Sequence, residues 1–327
     1  MSTLYPWQGS DWARLQHSRA SQGLLLHGQR GTGKLALAVC FAKSLLCEHP
    51  DSEGHACGKC SACGWFEQGS HPDYRLVQPE SETEENESGK KASRQISVDQ
   101  IRALSDFLGM TAHQGGRRVV IIYPSEAMNV NAANALLKSL EEPPEGLLFM
   151  LVTHKRHALL PTIVSRCISF ALATPDVATA TRFLEKEGVE RPFDALAANG
   201  FSPLDALQNA EGNETREKLL RALQQKRMDV FALAEVLQKT EQAQVVQWLQ
   251  QWSHDLLSQK LAGRLRYHPG REKLIADLVA PLDALDLARL QNVLKTAKRE
   301  AQHTLNPKLF LESLLFTYCQ LVKPCHS

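Results

Sequence analysis

The segment "GQRGTGKLAL", Gly28 to Leu37, constrains this chain more than any other. Gly28, Gly31 and Gly33 let backbone N–H groups converge on phosphate oxygens at a helix N-terminus, and Lys34 follows where an ammonium reaches the β and γ phosphates. Such a loop needs a strand before it and a helix after it. The sequence supplies both. "GLLLHG" (23–28) reads as a short buried strand, and Leu37, Phe41, Leu45 and Leu46 then fall on one side of a helix that stops near Cys47, before Pro50 and Gly54. Gly28, Gly31, Thr32, Gly33 and Lys34 are therefore the candidate nucleotide-binding residues.

The surrounding pattern extends this unit into a layered α/β fold. "DYRLVQ" (73–78) reads as a second strand, while "RRVVIIYP" (117–124) and "LLFMLVTH" (147–154) are long and β-rich enough to be central parallel strands. The helical "NAANALLKSLEEPP" joins the last two, an order that predicts a sheet covered on both faces. "SVDQIRALSDFL" predicts an amphipathic helix capped at Ser97 or Asp99, with Ile101, Leu104 and Leu108 facing inward. "ESETEENESGKK" (80–91) has no apolar residue, so a mobile loop is expected there. Past residue 170 the β-rich runs disappear. Two or three short helices are expected over 175–208, broken by Gly188, Pro192, Gly200 and Pro203, and longer amphipathic helices from about 209 onward. Trp248, Trp252 and Leu256 fall at helical spacing and point to a core or a subunit-contact face.

Composition removes several function classes. The chain has 327 residues, 43% hydrophobic and 22% charged, as in an ordinary soluble protein. A net charge of +1 gives no whole-molecule field toward nucleic acid or anionic lipid, so any DNA contact must be local or shared with partner chains. No run reaches the roughly 18 apolar residues of a membrane span, and the N-terminus has no basic region followed by an apolar run, which makes the cytoplasm the expected location. Eight cysteines in a reducing compartment need a reason other than disulfides.

Four of them have one. Cys57, Cys60 and Cys63 form C-x₂-C-x₂-C, and Cys47 lies upstream at the expected helix end. Four thiolates complete a closed tetrahedral Zn²⁺ site of the structural kind. An iron–sulfur cluster is the competing metal, although the bacterial spacing that runs on to a fourth Cys and Pro is missing, and unliganded thiols are the third reading. His49, His55 and His71 lie close enough in sequence to be considered, but four thiolates leave no place for them. Cys40, Cys167, Cys319 and Cys325 read as core or tail residues.

The phosphate loop lacks the rest of a hydrolytic site. Mg²⁺ is ordinarily held by a Ser or Thr after the lysine and by an acidic residue ending a neighbouring strand. Leu35 stands at the first position. The strand "RRVVIIYPSEAMN" ends in Tyr123 and Pro124 at the second, with Glu126 as a displaced substitute to be considered. The glycines and Lys34 leave residual ATP or ADP binding open, with no productive Mg²⁺ site expected.

Two further stretches are more specific. "NVNAANALLKSLEEPP" (129–144), followed by "LPTIVSRC" (160–167), closely resembles the AAA+ clamp-loader family, which opens sliding clamps at replication forks. The resemblance covers residues 4 to about 208, and beyond that rests on helical character and "NPKLFLESLL" (306–315). It implies an α/β RecA-like AAA+ domain with a parallel sheet over 1–166, including a zinc-binding insert (47–63), then a small helical lid (167–208) and an all-α collar for oligomerisation (209–327). Family members that hydrolyse ATP carry a lid arginine in a pattern like G-S-x-R-D-A-L. "GFSPLDAL" (200–207) puts Leu204 there, a third loss in the same direction as Leu35 and Tyr123-Pro124. The family's Ser-Arg-Cys is read here as Ser165, Arg166 and Cys167, which implies that Arg166 acts in trans on a neighbouring subunit's ATP. Such an arginine is worth ~10³ or more in rate. The plainer reading, an ion pair with a carboxylate of its own domain, stays beside it. Thr153 matches a phosphate-sensing position and is expected to be idle, and Lys155 and Arg156 have no assigned role. The family's zinc module supports the same four cysteine ligands.

The implied partners are clamp-loader ATPase subunits and a delta subunit in a five-membered ring, with the beta sliding clamp and primed DNA met through the complex and no membrane involved. The rival readings are an active AAA+ ATPase motor acting on DNA and a zinc-ribbon nucleic-acid-binding protein. The second is disfavoured because Lys59 is the only basic residue between Cys57 and Cys63.

Overall fold

Alternate residues of the long apolar runs are buried against opposite layers of helix, which is why those runs show no polar face. In chain order the first part contains α1 (Gly9–Gln16), β1 (Gly23–His27), α2 (Lys34–Leu46), α3 (Ser61–Glu67), β2 (Tyr74–Val77), α4 (Val98–Arg102), α5 (Leu104–Gly109), β3 (Arg118–Ile122), α6 (Val130–Glu141), β4 (Leu147–Thr153), α7 (Pro161–Arg166) and β5 (Ile168–Ala171). The five strands form one sheet in the order β2-β3-β4-β1-β5, and every neighbouring pair is parallel. Leu25, Val120, Ile122, Phe149 and Leu151 pack on one side with Ile101, Leu136 and Ile163. Leu24, Leu26, Val119, Ile121, Met150 and Val152 pack on the other with Trp12, Leu37 and Phe41. All seven residues of the central β4 are buried. At about 1.5–3 kcal/mol for each fully buried large aliphatic side chain, this two-sided burial is the main force holding the sheet.

This is a computed structural model, and it describes residues 4–80, 93–109, 113, 116–209, 213–225, 227–301 and 306–322. Beyond Glu80, the acidic loop expected over 80–91 lies outside the described residues, as does Cys325. The expected helix after Ser97 is present as α4 followed by α5. Ser97 caps it in a reciprocal box: its side chain accepts from Gln100 N, while its own N–H donates to Gln100 Oε1 at 2.9 Å.

One strand was not expected. β5 pairs with β1 in the register Leu24↔Ile168 to His27↔Ala171 and carries the sheet past residue 166, where the first domain was expected to end. Of its four residues only Phe170 is buried, because β5 is an edge strand with one neighbour. The strand is only four residues long, too short to stand out in the sequence as the central strands do.

The chain divides into two compact units, Met1–Thr179 and Ala180–Ser327. From residue 177 onward every regular element is helical among the described residues: α8 (Val177–Lys186), α9 (Pro192–Ala198), α10 (Pro203–Gln208), α11 (Asn213–Gln224), α12 (Val230–Leu237), α13 (Gln242–Ala262), α14 (Glu272–Val279), α15 (Ala284–Glu300) and α16 (Pro307–Val322). The second unit contains a small apolar cluster of Ala180, Leu184, Leu196 and Ala206, and a separate large core that takes in Trp248, Trp252 and Leu256. The tryptophan stripe is thus core. α13 ends at Gly263, whose φ of 63° is the left-handed conformation that closes a helix most easily without a side chain. Among the described residues, no helix is long and apolar enough to cross a membrane.

Candidate functional site

The loop leaves the carboxyl end of β1 and enters α2, as the strand–glycine–helix order dictates. Gly33 is the N-cap of α2 at φ 81°, and a Cβ there would lie 2.4 Å from the Tyr5 ring, so both backbone and space require glycine. Lys34 is buried and its Nζ donates to Gln29 O within the loop. Thr32 Oγ1 donates to the same carbonyl at 3.0 Å. Gly28 and Gly31 complete the loop on the strand side. Leu35, where a metal-binding hydroxyl would stand, packs against the core on the α2 side of the sheet.

Among the described residues, the neighbouring strand ends bring no spare carboxylate to the loop. β3 ends at Ile122, and Tyr123 packs with the same core as Leu35. Glu126 does return to the carboxyl end of β4, where its two oxygens accept from Thr153 Oγ1 at 2.6 Å and His154 N at 3.0 Å. Thr153 is fully buried and its hydroxyl also accepts from Lys155 N at 3.0 Å, so this side chain is engaged in bracing the strand end. His154 is pushed down to about 4 by burial, with the charges of Lys34, Arg30 and Lys155 adding to the shift and Glu126 opposing it. It is neutral at physiological pH.

Arg166 lies at the other end of the sheet. It is the last residue of α7, and its backbone carbonyl sits 3.2 Å from where a Cβ on Gly23 would be, at the amino end of β1. The four residue steps from Gly23 to His27 amount to ~13 Å of strand, and the loop begins beyond them. Arg166 donates from NH1 to Thr162 O at 3.0 Å and pairs through NH2 with Glu141 Oε1 at 2.5 Å. The side chains of Arg166 and Glu141 are 34% and 48% exposed, and a pair so placed is worth about 0–1 kcal/mol. It holds the guanidinium at the surface without committing it there.

The third group closes on itself at the far end of α2. Cys47 is the residue after that helix, Cys60 is the N-cap of α3 and Cys63 lies in its first turn. The sulfurs of Cys47, Cys57, Cys60 and Cys63 all lie within 4.8 Å of one another, with Cys47 and Cys60 at 3.9 Å. Zn–S bonds of about 2.3 Å in a tetrahedron place sulfurs about 3.8 Å apart, so the four fit a structural zinc ion. Amide donors already favour thiolates here: Cys57 N lies 3.2 Å from Cys47 Sγ, and Lys59 N and Cys63 N lie 3.5 Å from Cys57 Sγ and Cys60 Sγ. The amides of Lys59 and Cys60 hold the Cys57 thiol down at about 6, while burial pushes Cys63 up to about 12. A cation among them removes that conflict. His55 is stacked on Trp12 at 4.5 Å instead of joining the cluster, and Glu48 accepts from Ala62 N at 3.3 Å to cap α3.

The motif alone gave no sign of the segment ahead of α1. Gln8 is fully buried and donates to Thr32 O at 3.2 Å and Gly33 O at 2.8 Å, and Trp7 Nε1 donates to Thr32 O at 2.9 Å. These residues fix the outer side of the phosphate loop. Leu204, in α10, belongs to the second unit.

The sequence profile of a family described as "DNA polymerase III, delta subunit" matches residues 12–176, and one described as "DNA polymerase III, delta subunit, C terminal" matches residues 210–319. The chain is 36% identical to DNA polymerase III subunit delta' of Pseudomonas aeruginosa, over 99% of this chain and all of that one. It is 34% identical to subunit delta' of Yersinia pestis, over 84% of this chain and 82% of that one. With subunit delta' of Escherichia coli K12 it shares 36% over 67% of this chain and 65% of that one.

Proposed function

Because the chain belongs to the DNA polymerase III subunit delta' family, we propose that it is a non-hydrolysing member of the clamp-loader complex of that polymerase. In this reading it sits with clamp-loader ATPase subunits and a delta subunit in a five-membered ring that loads the beta sliding clamp onto primed DNA. Residues 1–166 are the AAA+ domain, 167–208 the lid apart from β5, which joins the AAA+ sheet, and 209–327 the collar, a division supported by the separate apolar clusters of the second unit.

The observation that carries the proposal is the position of Arg166. It is half-exposed at the amino end of β1, while the chain's own loop is at the carboxyl end, beyond the reach of an arginine side chain. An arginine with a role in phosphate chemistry at that place must serve another subunit's nucleotide. Exchanging a solvent-screened pair with Glu141 for a γ-phosphate costs little and gains a charge-assisted contact in a drier site. The chain's own loop supports the complementary half of the reading: with Leu35 packed against the core and Glu126 engaged by Thr153 and His154, it offers no ready ligand set for Mg²⁺ among the described residues. Gly28, Gly31, Thr32, Gly33 and Lys34 then hold at most a nucleotide that is not turned over. Cys47, Cys57, Cys60 and Cys63 hold a structural Zn²⁺, which ties α2 to α3 and performs no chemistry.

Reconstitution of the partner ATPase subunits with wild-type chain or Arg166→Ala tests this directly. DNA- and clamp-stimulated hydrolysis is expected to fall ~10³-fold at the site that Arg166 faces. Unchanged hydrolysis in the Ala assembly would overturn the trans role. Mg²⁺-dependent turnover by the isolated chain, abolished by Lys34→Ala, would establish the motor reading in its place.

A further inference from the structure

The basic residues that follow β4 have no role in the motif, yet the sheet puts them beside the phosphate loop. β1 and β4 are paired in parallel with His27 opposite Thr153, so the chain leaves the two strands side by side, into Gly28 on one and His154 on the other. Lys155 and Arg156 come next, and Arg156 opens the 3₁₀ turn Arg156–Ala158. Both are exposed, and neither side chain has a hydrogen bond or an ion pair among the described residues. Their charge bears on the loop. Burial lowers the pKa of His27, the last residue of β1, and the charges of Arg156 and Lys34 lower it further. Burial likewise lowers His154, with Lys34, Arg30 and Lys155 adding to the shift. Four cations, Arg30, Lys34, Lys155 and Arg156, thus gather at the carboxyl ends of β1 and β4, and Glu126 is the carboxylate that opposes them.

The crevice outside the carboxyl ends of parallel strands is where an α/β sheet receives ligands, and the N-terminus of α2 presents its amides there. In a hydrolytic loop, Mg²⁺ neutralises much of the charge on the phosphate chain. Here Leu35 packs against the core and Glu126 is engaged by Thr153 and His154, so that charge has to be met by side chains. Lys155 and Arg156 have the donors to meet it. Bare phosphates gain the most from such a cluster, whereas a magnesium complex arrives with part of its charge already cancelled. The loop also selects the kind of anion. Lys34 is buried with its Nζ on Gln29 O, a place that the free end of a phosphate chain reaches and a continuous phosphodiester backbone does not. Resting on the reading of this loop as a site without turnover, we propose that it binds a nucleoside diphosphate or triphosphate free of metal, with Arg30, Lys155 and Arg156 taking the place of Mg²⁺ against phosphates held by Lys34 and the loop amides.

Calorimetric titration of the full chain with ATP, once in EDTA and once in excess Mg²⁺, tests the assignment without altering the protein. Binding in EDTA is expected to be saturable and at least as tight as binding in Mg²⁺. Lys155→Ala with Arg156→Ala, both at exposed positions, is expected to weaken ATP in EDTA by about tenfold or more, the minimum for loss of a charge-assisted contact, while leaving the unfolding midpoint unchanged. Binding that requires Mg²⁺, unchanged affinity in the double variant, no binding at millimolar ATP, or displacement of ATP by an equal concentration of oligothymidylate would each overturn the proposal. The absence of turnover fails separately, on release of phosphate during the Mg²⁺ titration.

Discussion

Replacing Asp255 with Asn keeps the shape of the side chain and removes its charge, and the geometry around it allows the cost to be worked out. Arg266 N donates to one oxygen, which His254 Nδ1 also approaches at 3.3 Å, while Tyr267 N, His268 N and His268 Nδ1 donate to the other. An asparagine has one acceptor oxygen. In its better orientation it keeps the three-donor side and turns its NH₂ toward Arg266 N, so at least one backbone donor is left facing another donor. Losing that charge-assisted bond costs about 1.5–3 kcal/mol, and removing the charge from a buried network that reaches Arg216 through His268 Nε2 at 3.2 Å brings the total to about 3–5 kcal/mol. Glu235→Gln is the control: its pair with Lys308 at 2.7 Å lies between exposed side chains, so its loss is expected to leave the unfolding midpoint nearly unchanged. Urea unfolding followed by tryptophan fluorescence measures both, because Trp252 meets the His268 ring edge-on at 5.3 Å. The pH dependence has a definite sign. His268 and Asp255 both have folded pKa values below their unfolded ones. From about pH 6.5 downward the unfolded chain takes up the His268 proton before the folded chain does, so stability falls as pH drops. The Asp255 contribution is fully present above its unfolded pKa of about 3.9 and is lost as pH falls further, through the folded value. Equal midpoint shifts for the two variants, or wild-type stability that is flat between pH 7 and pH 5, would refute this account of the network.

Chelation of the metal, or Cys63→Ser, is expected to release a single zinc ion per chain to a metal-sensitive dye and to lower the Tm; an unchanged Tm after release would show that the four cysteines do not hold the insert together. Leu35→Thr restores the hydroxyl but no carboxylate at Tyr123 or Pro124, so phosphate release by the isolated variant is expected to stay at background, and measurable turnover would count against the reading of that strand end. Glu141→Gln frees Arg166 from its surface pair. It is expected to change stability by about 1 kcal/mol or less and to leave hydrolysis in the reconstituted assembly at or above the wild-type rate. A drop to the level of Arg166→Ala would mean that the pair itself is needed.

The features that were legible in the sequence are those whose physics is local. β1, β3 and β4 are continuous apolar runs because they are covered on both faces, and the end of α2 at Cys47 follows from the break that Pro50 and Gly54 impose. The cysteines were readable because ligand spacing is a short-range constraint. β5 was hidden because it is only four residues long and follows directly on α7, so "ISFA" offers neither a long apolar run nor a clean alternation. Gln8 and Trp7 meet the loop across 24 or more positions. Arg216, Asp255 and His268 are brought together only by the packing of α11 and α13 with the turn that follows, and no periodicity in any of those segments marks them. Glu126 was considered as a displaced metal ligand, yet its bonds to Thr153 and His154 depend on how the strand ends lie side by side, which spacing along the chain does not encode.

α2 begins at Lys34 and ends one residue before Cys47, so a single rod of 13 residues, ~20 Å long, has the phosphate loop at one tip and the cysteine cluster at the other. The insert is clamped to that rod by Lys43 with Glu67 and to α1 by Trp12 with His55 and Glu53. Whatever pulls on the insert therefore pulls the loop along the same axis, with no joint between them to absorb the stroke.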